Sequence, residues 1–99
     1  MWEERFEGLP TTEILGRELP VATTQLTRLL GLALLDPIAA GQGLVIPCCR
    51  AVHSFGMRFA LDLVFLDSSG RVLELRRRVR PGRFARSAAA DSVVELPTR

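Results

Sequence analysis

The sequence predicts a mainly β fold: a small β-sandwich or partly open barrel of about five to seven short strands, α+β at most, with one short helix near residues 23–31. Large apolar side chains alternate along residues 53–66, which is the period of an extended strand. Asp67–Gly70 then forms a clear turn signal before a second apolar run, as in a β-hairpin. Helical spacing of apolar residues occurs over residues 22–33.

The segment from residue 53 to residue 66 organises the prediction. In an extended chain one face would carry the bulky residues of this segment and belong in the core: His53, Phe55, Met57, Phe59, Leu61, Leu63 and Phe65. Leu61–Leu66 is apolar on both faces, which predicts a central strand covered on both sides. Because the whole segment exceeds the usual strand length, we expect a bend or bulge near Gly56–Phe59.

The elements before this segment are short. Residues 1–12 are acidic and lack periodicity, which predicts a loose lead-in. Glu13–Leu19 is predicted to form a short strand. Thr23 or Thr24 can cap the helix, and Gly31 marks its end.

Further short strands complete the predicted domain. Gly43–Ile46 reads as a buried strand ended by Pro47. Arg71–Val79 is the expected return strand of the hairpin, with three of its apolar residues sharing one face: Leu73, Leu75 and Val79. Ser92–Leu96 is predicted to be the last strand.

Length and composition limit the classes of protein to which the chain can belong. The chain has 99 residues, 47% of them hydrophobic, and a formal charge of +2, which predicts one globular domain over residues 13–99. The N-terminus lacks a signal-peptide pattern, and the apolar run Leu29–Leu35 is too short to cross a membrane. Cys48 and Cys49 are adjacent and form no disulfide framework, which favours a reducing compartment. We therefore expect a cytoplasmic protein without membrane contact.

A longer motif occupies residues 49–67, which read C-R-A-V-H-S-F-G-M-R-F-A-L-D-L-V-F-L-D, followed by Gly70–Leu73, Arg80-Pro81 and Val94–Pro97. This set resembles the soluble bacterial type of the domain-of-unknown-function 192 family (the UPF0127 family), over roughly residues 20–97. Ala60 and Gly82 depart from it, since the family often has proline and tryptophan there. The resemblance implies a compact, largely β fold with one short helix and no known activity. The resemblance also identifies six residues as members of the family's sequence signature: Cys49, His53, Ser54, Met57, Arg58 and Asp62.

The residues favour a non-catalytic binding module, and an enzyme is less favoured. Ser54, Arg58 and Asp62 would form a polar floor among small residues on one strand face. The arginine could hold a carboxylate or phosphate, with the other two completing the hydrogen bonds. The expected partner is thus a small anionic or polar ligand, or the chain of a partner protein. A structural ion pair that fixes the bend is the alternative role for Arg58 and Asp62.

Two other functions stay open. Soft donors at Cys48, Cys49, His53 and Met57 could make a metal- or thiol-dependent protein centred on Cys49 and His53. No recognised zinc spacing is present, however, and neither metal nor cofactor is expected. Arginines within Arg76–Arg86 could contact nucleic acid backbone weakly, although they fit a solvated strand edge better. We expect a monomer or a weak dimer formed through an edge strand.

Overall fold

The computed structural model describes residues 5–35 and 40–98. Within them it contains one helix and eight strands in three sheets, which confirms the predicted mainly β class. The elements are β1 Thr11–Ile14, β2 Arg17–Pro20, α1 Gln25–Leu30, β3 Leu44–Pro47, β4 Ala51–His53, β5 Leu61–Leu66, β6 Val72–Val79, β7 Phe84–Arg86 and β8 Ser92–Pro97. Over these residues, none of the helical structure is long and apolar enough to span a bilayer.

A four-stranded antiparallel sheet in the order β3-β8-β5-β6 forms the centre of the fold. Side chains point alternately to opposite faces along each strand, so each face of the sheet carries a separate set of core side chains. Leu61, Leu63 and Phe65 belong to the larger core, while Val64 and Leu66 belong to the smaller core with Leu19 of β2. Leu61–Leu66 is therefore a central strand covered on both sides, as its composition predicts.

The N-terminal segment forms a hairpin rather than one strand. Leu15 and Gly16 both have positive φ angles, 54° and 74°, and turn the chain between β1 and β2. The predicted strand Glu13–Leu19 is thus wrong in its bounds, because apolar content alone does not reveal a two-residue turn. Phe6 and Leu9, in the segment predicted to be a loose lead-in, pack against the larger core. Residues 1–4 of that segment lie outside the described residues.

Both ends of α1 follow the local chemistry of the sequence. Thr24 is the N-cap, and its side chain accepts a hydrogen bond from the Thr27 N–H group in a capping box. Gly31 is the C-cap and has a φ angle of 54°. The helix buries Thr27 and leaves Leu26 and Leu29 exposed.

A turn divides the segment of residues 53–66 that the sequence predicts to be extended. β4 ends at His53 and β5 begins at Leu61, so the break includes the predicted bend at Gly56–Phe59. The single apolar face predicted for residues 53–65 is therefore wrong across this turn. Phe55 is 56% exposed, whereas Met57 is buried. Strand alternation cannot continue once the chain leaves the extended conformation at Gly56, whose φ angle is 78°.

The hairpin that joins β5 to β6 is confirmed. Asp67 Oδ1 accepts hydrogen bonds from the Ser69 and Arg71 N–H groups, and Gly70 has a φ angle of 83°. The predicted core face of the return strand is wrong, since Leu73 and Leu75 are exposed. β6 is the edge strand of the sheet, and a strand's alternation does not tell whether a second layer covers that edge.

Candidate functional site

A cavity of about 180 Å³ lies between α1, β3, β4 and β8. Its apolar wall includes Leu30, Ile46 and Val52, and three ionisable side chains line it as well: Arg28, His53 and Glu95. These residues are far apart in the chain. They meet because the end of α1 packs over the face of the central sheet that carries the larger core, next to β4.

Glu95 is a carboxylate in the middle of the core. It lies on the inner strand β8 between Leu44 of β3 and Leu63 of β5, and only 3% of the residue is exposed. Oε1 accepts a hydrogen bond from the Leu32 N–H group, with 3.2 Å between nitrogen and oxygen. Burial raises the pKa of Glu95 to about 7, and the Leu32 hydrogen bond opposes that rise. None of the residues in 5–35 and 40–98 donates a hydrogen bond to Oε2.

Gly31 lets the helix end approach this carboxylate. Its φ angle of 54° is disfavoured for residues with a side chain, and a Cβ atom here would overlap Oε1 of Glu95. The Gly31 carbonyl oxygen accepts a hydrogen bond of 2.9 Å from Nη1 of Arg5. Arg5 is buried, and this burial lowers the pKa of its guanidinium. The absence of a side chain at position 31 therefore gives Glu95 its place beneath the helix.

His53 joins α1 to β4. Its Nδ1 accepts a hydrogen bond from the Phe55 N–H group, and its Nε2 lies 3.2 Å from the Leu29 carbonyl oxygen. An acceptor at Nδ1 and a donor at Nε2 correspond to the tautomer with its proton on Nε2. The ring also stacks on Phe55, with 5.5 Å between the ring centres. Both nitrogens of this histidine are thus used in holding the cavity wall.

Arg28 lies in the last turn of α1 and carries the positive charge of the cavity. Nη1 donates to the Pro47 carbonyl oxygen, and Nη2 donates to the Cys48 carbonyl oxygen at 3.2 Å. These bonds hold the guanidinium over the C-terminal end of β3. No ion pair joins Arg28 to Glu95 in the described part of the chain, although both line the same cavity.

The three residues of the predicted polar floor lie in different surroundings in the structure. Ser54 is buried; its Oγ donates to the Arg80 carbonyl oxygen at 2.6 Å and accepts from the Arg83 N–H group at 2.8 Å. Arg58 is exposed. Across residues 5–35 and 40–98, no hydrogen bond or ion pair connects Ser54, Arg58 and Asp62 to one another. Their joint role in ligand binding stays a prediction.

Asp62 accepts a hydrogen bond from the backbone of a bulge in the neighbouring strand. β6 places Arg77 and Arg78 opposite this one residue, and Arg78 has a φ angle of 55°. Asp62 Oδ1 accepts from the Arg78 N–H group at 3.0 Å and from Thr98 Oγ1 at 2.7 Å. Burial by itself would raise the pKa of Asp62, but these two bonds and the Arg77 guanidinium outweigh it and lower the pKa overall.

We therefore expect Asp62→Ala to destabilise the fold by about 1–3 kcal/mol, because it removes the hydrogen bonds that the Arg78 N–H group and Thr98 Oγ1 donate to a charged carboxylate. Asp62→Asn keeps an oxygen at Oδ1 and is the matched control, with a smaller expected loss. Urea unfolding of the three proteins measures the difference. Equal losses for the two variants would show that the negative charge matters and the acceptor does not.

The secondary candidates do not assemble into a metal centre. Cys49 Sγ donates to the Ala51 carbonyl oxygen at 3.0 Å, and Met57 is buried in the larger core. Cys48 and Cys49 are both free thiols. Across residues 5–35 and 40–98, no group of three or more histidine, cysteine, aspartate or glutamate residues could hold a metal ion. The metal or thiol alternative gains no support.

The arginine group lies along exposed strand edges. Arg76 and Arg78 are exposed on β6, and Arg76 forms an ion pair with Glu74. Arg77 lies 3.6 Å from Oδ2 of Asp62. Two of these charges thus meet acidic partners within the protein, and the nucleic-acid alternative gains no support.

Sequence reasoning missed Arg28 and Glu95 as site residues. A signal for Glu95 does exist, because strand alternation places it on the same face as Val93, which is buried. A carboxylate at a position that the pattern assigns to the core is an unusual feature. Nothing in the local sequence of Arg28 indicates that it faces a cavity, since its neighbours there come from β3 and β4.

Known proteins resemble this chain in sequence and in fold. The model of the DUF192 family, described as "Uncharacterized ACR", matches residues 8–99. No curated protein matches the sequence. A protein of unknown function from Novosphingobium aromaticivorans DSM 12444 superposes with a TM-score of 0.68 and 16% identity, over 89% of this chain and 71% of that chain.

A second solved structure, from Sinorhizobium meliloti 1021, is described provisionally as a transcription regulator. It superposes with a TM-score of 0.70 and 19% identity, over 83% of this chain and 70% of that chain. At such identities the two structures establish a shared fold alone. The family model covers nearly the whole sequence and includes the motif at residues 49–67, so the chain belongs to the DUF192 family of uncharacterised proteins.

Proposed function

We propose that this protein is a non-catalytic binding module that holds a small polar ligand in the cavity floored by Glu95. One observation carries the proposal: Glu95 is almost fully buried, lines the cavity, and accepts its one described hydrogen bond at Oε1. Oε2 is thus available to a donor that a ligand would bring.

The energetic cost of this arrangement supports a binding role. A buried carboxylate without enough donors destabilises a fold, and an apolar side chain in the same place would not. Strongly shifted pKa values at cavity-lining groups occur preferentially at functional sites. A ligand that donates to Oε2 would remove part of the penalty, and its binding free energy would include that gain.

The groups around the cavity favour binding over catalysis. Both nitrogens of His53 already bond to the protein, so the imidazole is not free to take a proton from a substrate. The Cys49 thiol donates to the Ala51 carbonyl oxygen and is absent from the cavity lining. A nucleophile paired with a free base is therefore missing from the described wall. Two free thiols also fit action in the cytoplasm, which we include in the proposal.

The proposal can be tested by blocking the mouth of the cavity. Ala51 lines it and is exposed, so Ala51→Leu should fill space there without disturbing the core. We expect a panel of small amines, amides, alcohols and carboxylates to contain compounds that shift the Leu32 amide and Val52 methyl resonances of the unmodified protein. The same compounds should leave Ala51→Leu unchanged.

Ala88→Leu is the matched control, because Ala88 is exposed and lies outside the cavity lining. It should bind as the unmodified protein does. A panel in which no compound moves the Leu32 and Val52 resonances at millimolar concentration would overturn the binding function. Shifts that persist equally in Ala51→Leu would place the binding elsewhere and overturn it as well.

A further inference from the structure

We propose that the ligand is a small zwitterion with a primary ammonium group and a carboxylate group, such as a short-chain amino acid. The ammonium group would bind Oε2 of Glu95, and the carboxylate group would bind the guanidinium of Arg28. This inference rests on the binding function proposed above and names its ligand class.

The inner end of the cavity fits an ammonium group. Glu95 lines the cavity, and its Oε2 accepts no hydrogen bond from residues 5–35 and 40–98. An ammonium group is compact and carries three N–H donors. The other ionisable groups that line the cavity are Arg28 on α1 and His53 on β4, and Arg5 reaches the Gly31 carbonyl oxygen above Glu95. The adjacent strands contribute the apolar Leu44 and Leu63.

The other polar wall fits a carboxylate group. A guanidinium has five N–H donors, and Arg28 uses one at Nη1 and one at Nη2 on the carbonyl oxygens of Pro47 and Cys48. The remaining donors can bind an anionic group, for which the guanidinium is well suited. Arg28 and Glu95 share the cavity but do not pair within the described residues. A ligand with both charges would satisfy each of them.

The dimensions and the apolar wall limit the ligand to a short molecule. A volume of about 180 Å³ is below the roughly 300–1,000 Å³ of pockets that enclose drug-sized ligands. Leu30, Ile46 and Val52 would face the carbon atoms between the two charged ends. A nucleotide is larger than such a cavity, whereas an amino acid with a small side chain has the matching size and charge pattern.

The test compares glycine and alanine with ethylamine, propionate and propionamide by calorimetric and NMR titration of the full chain. We expect the two amino acids to bind most tightly, ethylamine less tightly, and the two compounds without an ammonium group most weakly. Affinity for glycine should rise about tenfold between pH 6 and pH 8, because the ammonium group requires an ionised Glu95. Proton release into buffers of different ionisation enthalpy measures the same coupling.

Two variants separate the two ends of the ligand. Glu95→Gln should weaken binding of glycine and ethylamine at least tenfold. Arg28→Gln should reduce glycine to the affinity of ethylamine and leave ethylamine unchanged. If Arg28→Gln does not fold, the comparison of glycine with ethylamine in the unmodified protein makes the same distinction.

The outcomes separate this inference from the binding function. If propionate or propionamide binds in the cavity as tightly as glycine, the ligand is not a zwitterion. The proposed binding function would then still stand. Undiminished glycine affinity in Glu95→Gln would also overturn it. If none of the five compounds and nothing in the wider panel binds the cavity, the binding function itself falls.

Discussion

We expect the protein to lose stability as the pH rises from about 5 to about 8, because burial raises the pKa of Glu95. Its pKa is raised from 4.5 to about 7 in the folded chain, so between these values the folded state keeps a proton that the unfolded chain has released. Below pH 4.5 both states are protonated and the group costs nothing. Above pH 7 the folded state bears the full cost of ionising this buried carboxylate. For this pKa shift the cost is about 3 kcal/mol.

Urea unfolding at pH 5 and at pH 8 measures this effect, and Glu95→Gln is its control. The glutamine keeps the size and an oxygen acceptor for the Leu32 N–H group but cannot ionise, so its stability should change much less over the same interval. Asp62 has a lowered pKa and acts in the opposite direction, losing its contribution only in acid below its ordinary value of 3.8. An unmodified protein as stable at pH 8 as at pH 5 would contradict the prediction.

Gly31→Ala should destabilise the fold by roughly 3 kcal/mol. A residue with a side chain held at this positive φ angle costs about 1–3 kcal/mol, and the new Cβ would also push against Oε1 of Glu95. Moving that carboxylate weakens its hydrogen bond from Leu32, a bond to a charged group worth about 1.5–3 kcal/mol when Glu95 is ionised. Urea unfolding at pH 8 gives the size of the loss.

A double-mutant cycle separates the backbone strain at Gly31 from the contact of the new Cβ atom with Glu95. In a Glu95→Ala background the carboxylate is absent, so Gly31→Ala should cost only the backbone strain and be milder than in the unmodified protein. Gly8→Ala is a matched control, since Gly8 also has a positive φ angle but a Cβ there would meet no neighbouring atom. An equal cost of Gly31→Ala in both backgrounds would show that the helix end does not crowd Glu95.

Local chemistry explains which parts of the fold the sequence could predict. The turn at Asp67–Gly70 and the caps at Thr24 and Gly31 depend on residues within a few positions of one another, and all three predictions are confirmed. The central strand Leu61–Leu66 was also accessible, because apolar residues on both faces require cover on both sides.

Predictions failed where a turn interrupts a strand or where residues distant in the chain decide the outcome. Phe55 has the same alternation as its buried neighbours, but the chain turns after β4 and leaves its ring exposed. Leu75 has an inward pattern on an edge strand for which no second layer exists among the described residues. The cavity needs α1, β4 and β8 together, so neither Arg28 nor Glu95 could be assigned to one site from local spacing.

The order of strands in the central sheet bears on how the chain folds during synthesis. β8 lies between β3 and β5 but follows both in the chain, so neither strand has its shared neighbour until residues 92–97 have left the ribosome. Until then the growing chain carries apolar strands with open edges that other chains can join. A nascent chain arrested before Ser92 should therefore depend on chaperones far more than the released protein does.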